Sequence, residues 1–209
     1  SSLHYWIGNR RCYLKEYMKP IFTIHAGEYL VGSHIEKQFK DWRVWIPSKD
    51  TGIDLLISNA DHSKTTSIQV KFSKDFLVTH GKLDHQTKLI SCGWWALNKQ
   101  KLQNSTANFW VFVLHSFNDK NIQYVVIDPK TLYNRLNDLH LKNNNINIIQ
   151  TYLWVTTTGT TGKPECWETR GLKKEQQDAI ANNDTCHINK TRNFTEFLNN
   201  WDLVEEKLT

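Results

Sequence analysis

Gly52-Ile-Asp-Leu-Leu-Ile57 and Thr66-Ser-Ile-Gln-Val-Lys-Phe72 are the two stretches on which the reading of this chain turns. Each is a short run rich in β-branched and large apolar residues, and the polar segment Asn59 to Lys64 between them has the composition of a turn. Two strands so joined pair antiparallel. Asp54 stands among residues that belong in a core, where a carboxylate is costly unless it is paired or bound to a cation. Gln69 and Lys71 are two residues apart on a strand and share a face that Ile68, Val70 and Phe72 do not. If the hairpin closes, Asp54, Gln69 and Lys71 meet on one side of the sheet. Taken singly, Asp54 beside Gly52 reads as a turn cap, and Gln69 and Lys71 as the solvated face of a strand. Only the joint pattern points to chemistry.

Outward from this hairpin, the spacing of Tyr29, Leu30, Ile35 and Phe39 predicts a helix from Ala26 to about Lys40. Trp42 to Ile46 alternates as a strand closed by Pro47, and Lys49 to Gly52 is a turn, so three short strands form an antiparallel meander. Downstream, His85 to Leu97 is read as a helix with Leu89, Ile90 and Trp94 on one face. Phe109 to Leu114 is a continuous apolar run, as in a strand covered on both sides. Gln123 to Ile127 is another strand, and Pro129 opens a helix running to about Leu139. In the tail, Ile148 to Val155 reads as a strand, Thr156 to Pro164 as a Thr/Gly loop, Lys173 to Ala181 as a helix and Phe194 to Val204 as a closing helix. The order implies an α/β fold, a mixed sheet with helices on its faces. No repeat or linker divides the chain, so residues 1–209 are read as one domain. Its core spans about 20–128 with a C-terminal α/β extension over 129–209, and the aromatic, basic segment 1–17 reads as an N-terminal arm or a short packed element.

Composition narrows the function classes. With 39% hydrophobic and 22% charged residues over 209 positions, the chain can bury one sizeable core and is not disordered. A net charge of +5 suits a polyanionic partner without requiring one. The nine tryptophans supply core volume and flat stacking surfaces; of Trp94 and Trp95, one ring is expected inside and one outside. Cys12, Cys92, Cys166 and Cys186 form no CxxC pair, which excludes a zinc ribbon and a dense disulfide framework and suits a reducing cytoplasm. No apolar run approaches the roughly 20 residues of a membrane span, so no membrane association is expected. The histidines lack HExxH spacing, and Thr156 to Lys163 is followed by Pro164 rather than the Ser or Thr of a phosphate-binding loop.

Gly27-Glu-Tyr-Leu-Val31, Gly52-Ile-Asp-Leu-Leu56 and Ile68-Gln-Val-Lys-Phe-Ser73, in that order of elements, resemble the PD-(D/E)xK nuclease superfamily, which includes many restriction endonucleases and the archaeal Holliday-junction resolvases. The resemblance extends to about Leu114, roughly half of the chain. It implies a restriction-endonuclease-like mixed sheet flanked by helices, with an α-β-β-β-α-β core. It places Asp54 at the first carboxylate of the motif, Gln69 where Glu or Asp is usual, Lys71 at the lysine and Glu28 at the first-helix acid of the resolvase-like branch. Glu36 competes with Glu28 from a similar face two turns on, but Glu36-Lys37 looks like a solvated helix end. Two positions depart from the pattern: Ile53 replaces Pro, and Gln69 offers a carbonyl oxygen without charge.

The resemblance further implies Mg²⁺, with Mn²⁺ as a substitute, held by Asp54, Gln69 and Glu28, and Lys71 beside the scissile phosphate. DNA is the implied substrate and a homodimer the implied assembly. Ser73, Lys74, Lys82 and Lys88 are the candidate backbone contacts. The expected activity is that of a Mg-dependent endodeoxyribonuclease, type II-like and serving restriction or defence. A junction-specific nuclease is the alternative within the class. A DNA-binding protein on the nuclease fold, with Gln69 marking a lost metal site, is the alternative outside it.

Overall fold

The computed structural model describes residues 25–49, 51–74, 87–116, 122–141, 146–157 and 161–209. The segment 1–17 read as an arm lies outside them, as does Lys82. Helix α1 (Ala26–Gln38) leads into strands β1 (Arg43–Trp45), β2 (Leu55–Ser58) and β3 (Thr65–Lys74). These are followed by β4 (Leu89–Asn98), the short helix α2 (Lys99–Gln103), β5 (Phe109–His115) and β6 (Ile122–Ile127). Helix α3 (Pro129–Leu136) runs on into a π turn, and β7 (Ile148–Thr156), β8 (Cys166–Glu168), α4 (Lys174–Ala181) and α5 (Asp202–Leu208) complete the chain.

A five-stranded mixed sheet with order β1-β2-β3-β5-β6 carries the fold. β1, β2 and β3 form the expected antiparallel meander, β3 and β5 run parallel, and β6 closes the edge antiparallel to β5. The β2–β3 turn is held by the Asn59 side chain, whose Oδ1 accepts the Lys64 amide at 3.1 Å, while His62 takes a positive φ of 61°. The apolar run of β5 is explained by two cores. Phe109, Val111 and Val113 pack with Val31, Ile35, Ile57 and Ile68 in the layer beneath α1. Trp110, Phe112 and Leu114 pack with Trp95, Leu97, Leu132 and Leu153 in the layer shared with β4, β7 and α3. Alternate residues of one strand thus serve opposite faces, so every position is apolar.

Two elements differ from the sequence reading. His85 to Leu97 was expected as a helix, yet Leu89–Asn98 is a ten-residue strand, leaving α2 as the helix before β5. β4 pairs antiparallel with β7 over Leu89 to Asn98 and forms a second sheet of order β4-β7-β8. Its partner is fifty or more residues downstream in sequence, beyond the reach of local periodicity. A period-two signal was present: Gly93, Trp95 and Leu97 are buried while Trp94 and Ala96 are exposed. The closing helix expected over Phe194 to Val204 is instead a 3-10 turn at Thr195–Phe197 and the separate helix α5. Asn199, at φ 52°, breaks it. Its backbone N–H donates to the Tyr124 carbonyl at 2.6 Å and its Oδ1 accepts the Tyr124 amide at 2.9 Å, so this residue caps the outer edge of β6. Among the described residues no helix is long and apolar enough to cross a membrane.

Candidate active site

β2 is shorter than β3, and the site lies where it stops. The β2–β3 ladder ends at the Leu55–Ile68 pair, whereas β3 continues beside β5 as far as Lys74. Beyond Ile68, one edge of β3 therefore opens onto a cleft of about 1150 Å³ instead of a neighbouring strand. The first turn of α1 forms one wall, and α2 with the loop after it forms the other. Glu28, Asp54, Gln69 and Lys71 all line this cleft.

Asp54 sits one residue ahead of β2 rather than within the strand, and it is half-buried. Its N–H donates to the Ile68 carbonyl at 2.8 Å, and its Oδ2 accepts the Val70 amide at 2.7 Å. The carboxylate thus satisfies the first edge amide left beyond the ladder, a charge-assisted bond that fixes its orientation. The preceding Gly52, at φ 82°, makes the reversal that brings the chain there, a conformation most side chains resist. Extending the register one step sets Asp54 opposite Gln69, so Asp54, Gln69 and Lys71 share the sheet face of Trp110 and Phe112. Lys71 lies with Nζ 4.6 Å from the centroid of the Trp110 ring.

Glu28 reaches the cleft from the opposite face because Gly27 lets α1 press against β3. A Cβ at Gly27 would lie 2.7 Å from the Phe72 Cβ and 3.1 Å from the Val70 Cγ1. Phe72 Cβ is fixed to the strand backbone and cannot yield without moving it. Glu28 is only 5% exposed, while its competitor Glu36 is exposed and does not line the cleft. Gly27→Ala is expected to lift the first turn of α1 off Phe72 and carry Glu28 out of place. The cost is about 1–3 kcal/mol, as for overpacking elsewhere, with cleavage falling further than stability. Thermal melts alongside cleavage rates check both.

The candidate DNA contacts fare unequally. Ser73 is buried: its hydroxyl donates to the Trp94 carbonyl at 3.3 Å and accepts the Trp94 amide at 3.1 Å, tying β3 to β4 instead of facing a ligand. The Lys88 Nζ donates to the Asn182 side chain, and Lys88 does not line the cleft. Lys74 ends β3, and its side chain lies outside the described residues. The sequence reading missed the second wall, where Gln100, Lys101, Asn104, Ser105 and Thr106 face the site. The polar run Asn104-Ser-Thr106 just before an apolar strand was the available signal. Trp94 is 39% exposed and Trp95 6%, the division expected for the pair.

Among the described residues no three His, Cys, Asp or Glu side chains gather as a metal cluster. Of the groups lining the cleft, Glu28, Asp54 and Gln69 offer hard oxygen donors, which fit a divalent cation of the Mg²⁺ type when substrate oxygens complete the shell.

The family model described as Restriction endonuclease (Mrr_cat_2) matches residues 36–152, from the last turn of α1 to the middle of β7, and so includes the strand β4. No curated protein and no solved structure matches the chain. Glu28 lies ahead of the matched region; Asp54, Gln69 and Lys71 lie within it. With more than half of its length matched and a mixed sheet of the corresponding kind, the chain belongs to the restriction endonuclease family, within the PD-(D/E)xK restriction-endonuclease-like superfamily.

Proposed function

We propose that the chain is a Mg²⁺-dependent endodeoxyribonuclease of the restriction or defence type, cutting at the open edge of β3. The observation that carries this reading is the meeting of Glu28, Asp54, Gln69 and Lys71 in one cleft from three separate elements. Glu28, Asp54 and Gln69 are the residues that would hold the cation. Bound there, it supplies charge neutralisation for the phosphodiester and lowers the pKa of a water.

The protein's own groups do the rest. Asp54, clamped to the Val70 amide, presents a carboxylate whose direction is set before substrate arrives, so little reorganisation is needed. The Lys71 ammonium, from the same face of the sheet, pairs with a non-bridging phosphate oxygen and offsets the charge that builds up as the nucleophile attacks. Gln69 contributes an oxygen without charge, so Glu28 supplies the second negative group of the set. The polar second wall from Gln100 to Thr106 faces the sugar-phosphate backbone. Cutting both strands of a duplex takes two such clefts, and a homodimer provides them.

The test is digestion of a large mixed DNA with Mg²⁺ or Mn²⁺, with and without chelator, followed by fragment-end sequencing. Ends that appear only without chelator support the reading, and their sequences report whether cleavage follows a recognition site. A protein that retains duplex DNA yet produces no ends with either metal is a binding module on the nuclease fold. Ends confined to four-way junctions assign it to the junction-cleaving class.

A further inference from the structure

Lysine reaches its target on a flexible four-carbon stem and must be held if its charge is to act at one point. The face of an aromatic ring attracts an ammonium and so helps to fix where its charge stands. Trp110 presents such a face: its centroid is 4.6 Å from Lys71 Nζ, and the residue is only 1% exposed. In the parallel register Trp110 is the neighbour of Gln69, one step diagonal from Lys71 and on the same face. The ring is itself anchored, because its Nε1 donates to Ser105 Oγ at 2.8 Å. Ser105 belongs to the second wall of the cleft.

We infer that Trp110, anchored by Ser105, is a positioning residue that sets where the Lys71 ammonium stands in the cleft. The role rests on the nuclease reading above, although the contact itself does not. Trp110 touches no substrate; it acts through Lys71, and Ser105 acts through Trp110.

The experiment combines a spectroscopic and a kinetic arm on the full chain. In protein carrying ¹³C-labelled lysine, the Lys71 ε-methylene signal, assigned by its loss in Lys71→Arg, is expected to lie upfield under the ring current. The upfield shift should persist in Trp110→Phe, shrink in Ser105→Ala and vanish in Trp110→Leu. Cleavage turnover should fall roughly 3- to 30-fold in Trp110→Leu, the range set by the strength of a cation–π contact. DNA affinity in chelator should stay within about twofold, because the missing contact concerns transition-state charge and not uniform binding. In a Lys71→Met background Trp110→Leu should cost nothing more, since residues that act as a unit are not additive. Should Trp110→Leu fail to fold, Ser105→Ala carries the test, with a reduced shift and slower turnover expected.

A Lys71 ε signal without an upfield shift in the wild type overturns the proposal. So does undiminished turnover in a folded Trp110→Leu, or in Ser105→Ala where it stands in, or a loss of equal size in the Lys71→Met background. Wild-type protein that cuts no DNA overturns the nuclease reading and the role with it, whereas a wild type that cuts as well as the Trp110 variant overturns the role alone.

Discussion

Asp54→Asn is expected to reduce metal-dependent cleavage by about 10²–10³-fold while leaving the fold intact, a loss of the size seen when one preorganised charge-stabilising group is removed. Asparagine keeps the shape of aspartate, and its carbonyl oxygen can still accept the Val70 amide that Asp54 Oδ2 accepts at 2.7 Å. The β3 edge therefore stays capped and the change isolates one negative charge. That charge matters more here than in a site with an acid at the Gln69 position. Among the described residues lining the cleft, Glu28 is the one other carboxylate to balance a divalent cation once Asp54 is neutral. Lys71→Met is the companion variant, retaining an apolar stem against the Trp110 ring while removing the ammonium. Relaxation of supercoiled plasmid, with melting temperature as the control for folding, measures both. Wild-type rates in Asp54→Asn would remove the carboxylate from the chemistry and leave the cleft as a binding surface.

The second large effect concerns stability at a distance from the cleft. Glu168 is completely buried at the end of β8, and its carboxylate accepts from Arg192 Nη1. The His140 Nε2 lies 3.2 Å from its other oxygen, which also accepts the Arg170 amide at 3.1 Å. Arg192 comes from a 3-10 turn and His140 from the π turn after α3, so one buried carboxylate joins three segments of the C-terminal half. Arg192→Ala is expected to cost about 3–5 kcal/mol, because it strands a charge that water cannot reach. For a chain of this size the midpoint of thermal unfolding should drop by roughly 6–20 °C. Added salt should not erase the difference, since buried pairs are weakly screened. The double variant Glu168→Met with Arg192→Met should recover most of the loss, because removing both charges removes the desolvation cost along with the attraction. A drop in the single variant no larger than for an exposed ion pair, about 0–1 kcal/mol, would show that solvent reaches the carboxylate.

The sequence by itself determined the hairpin and the shared face of Gln69 and Lys71, and its resemblance singled out Asp54 and Glu28 beside them. The β2–β3 pairing follows from two apolar runs and a polar turn, and the two-residue spacing of Gln69 and Lys71 puts them on one face whatever lies around them. The covered state of β5 was equally legible, since a strand with no polar position has no solvent side. What the tertiary structure decided is everything that depends on a distant partner. β4 is a strand because β7 offers it a ladder, while residues 89–98 taken locally carry apolar side chains at spacings that also suit a helix. Glu28, already preferred to Glu36 from the resemblance, reaches the cleft because Gly27 meets Phe72, a contact between segments forty-five residues apart. The Trp110 ring lies under Lys71 only because β3 and β5 run parallel in one particular register. Side-chain periodicity is a property of a few consecutive residues and can be read locally; register and close approach are set by which long-range packing buries the most apolar surface, and no local window contains that information.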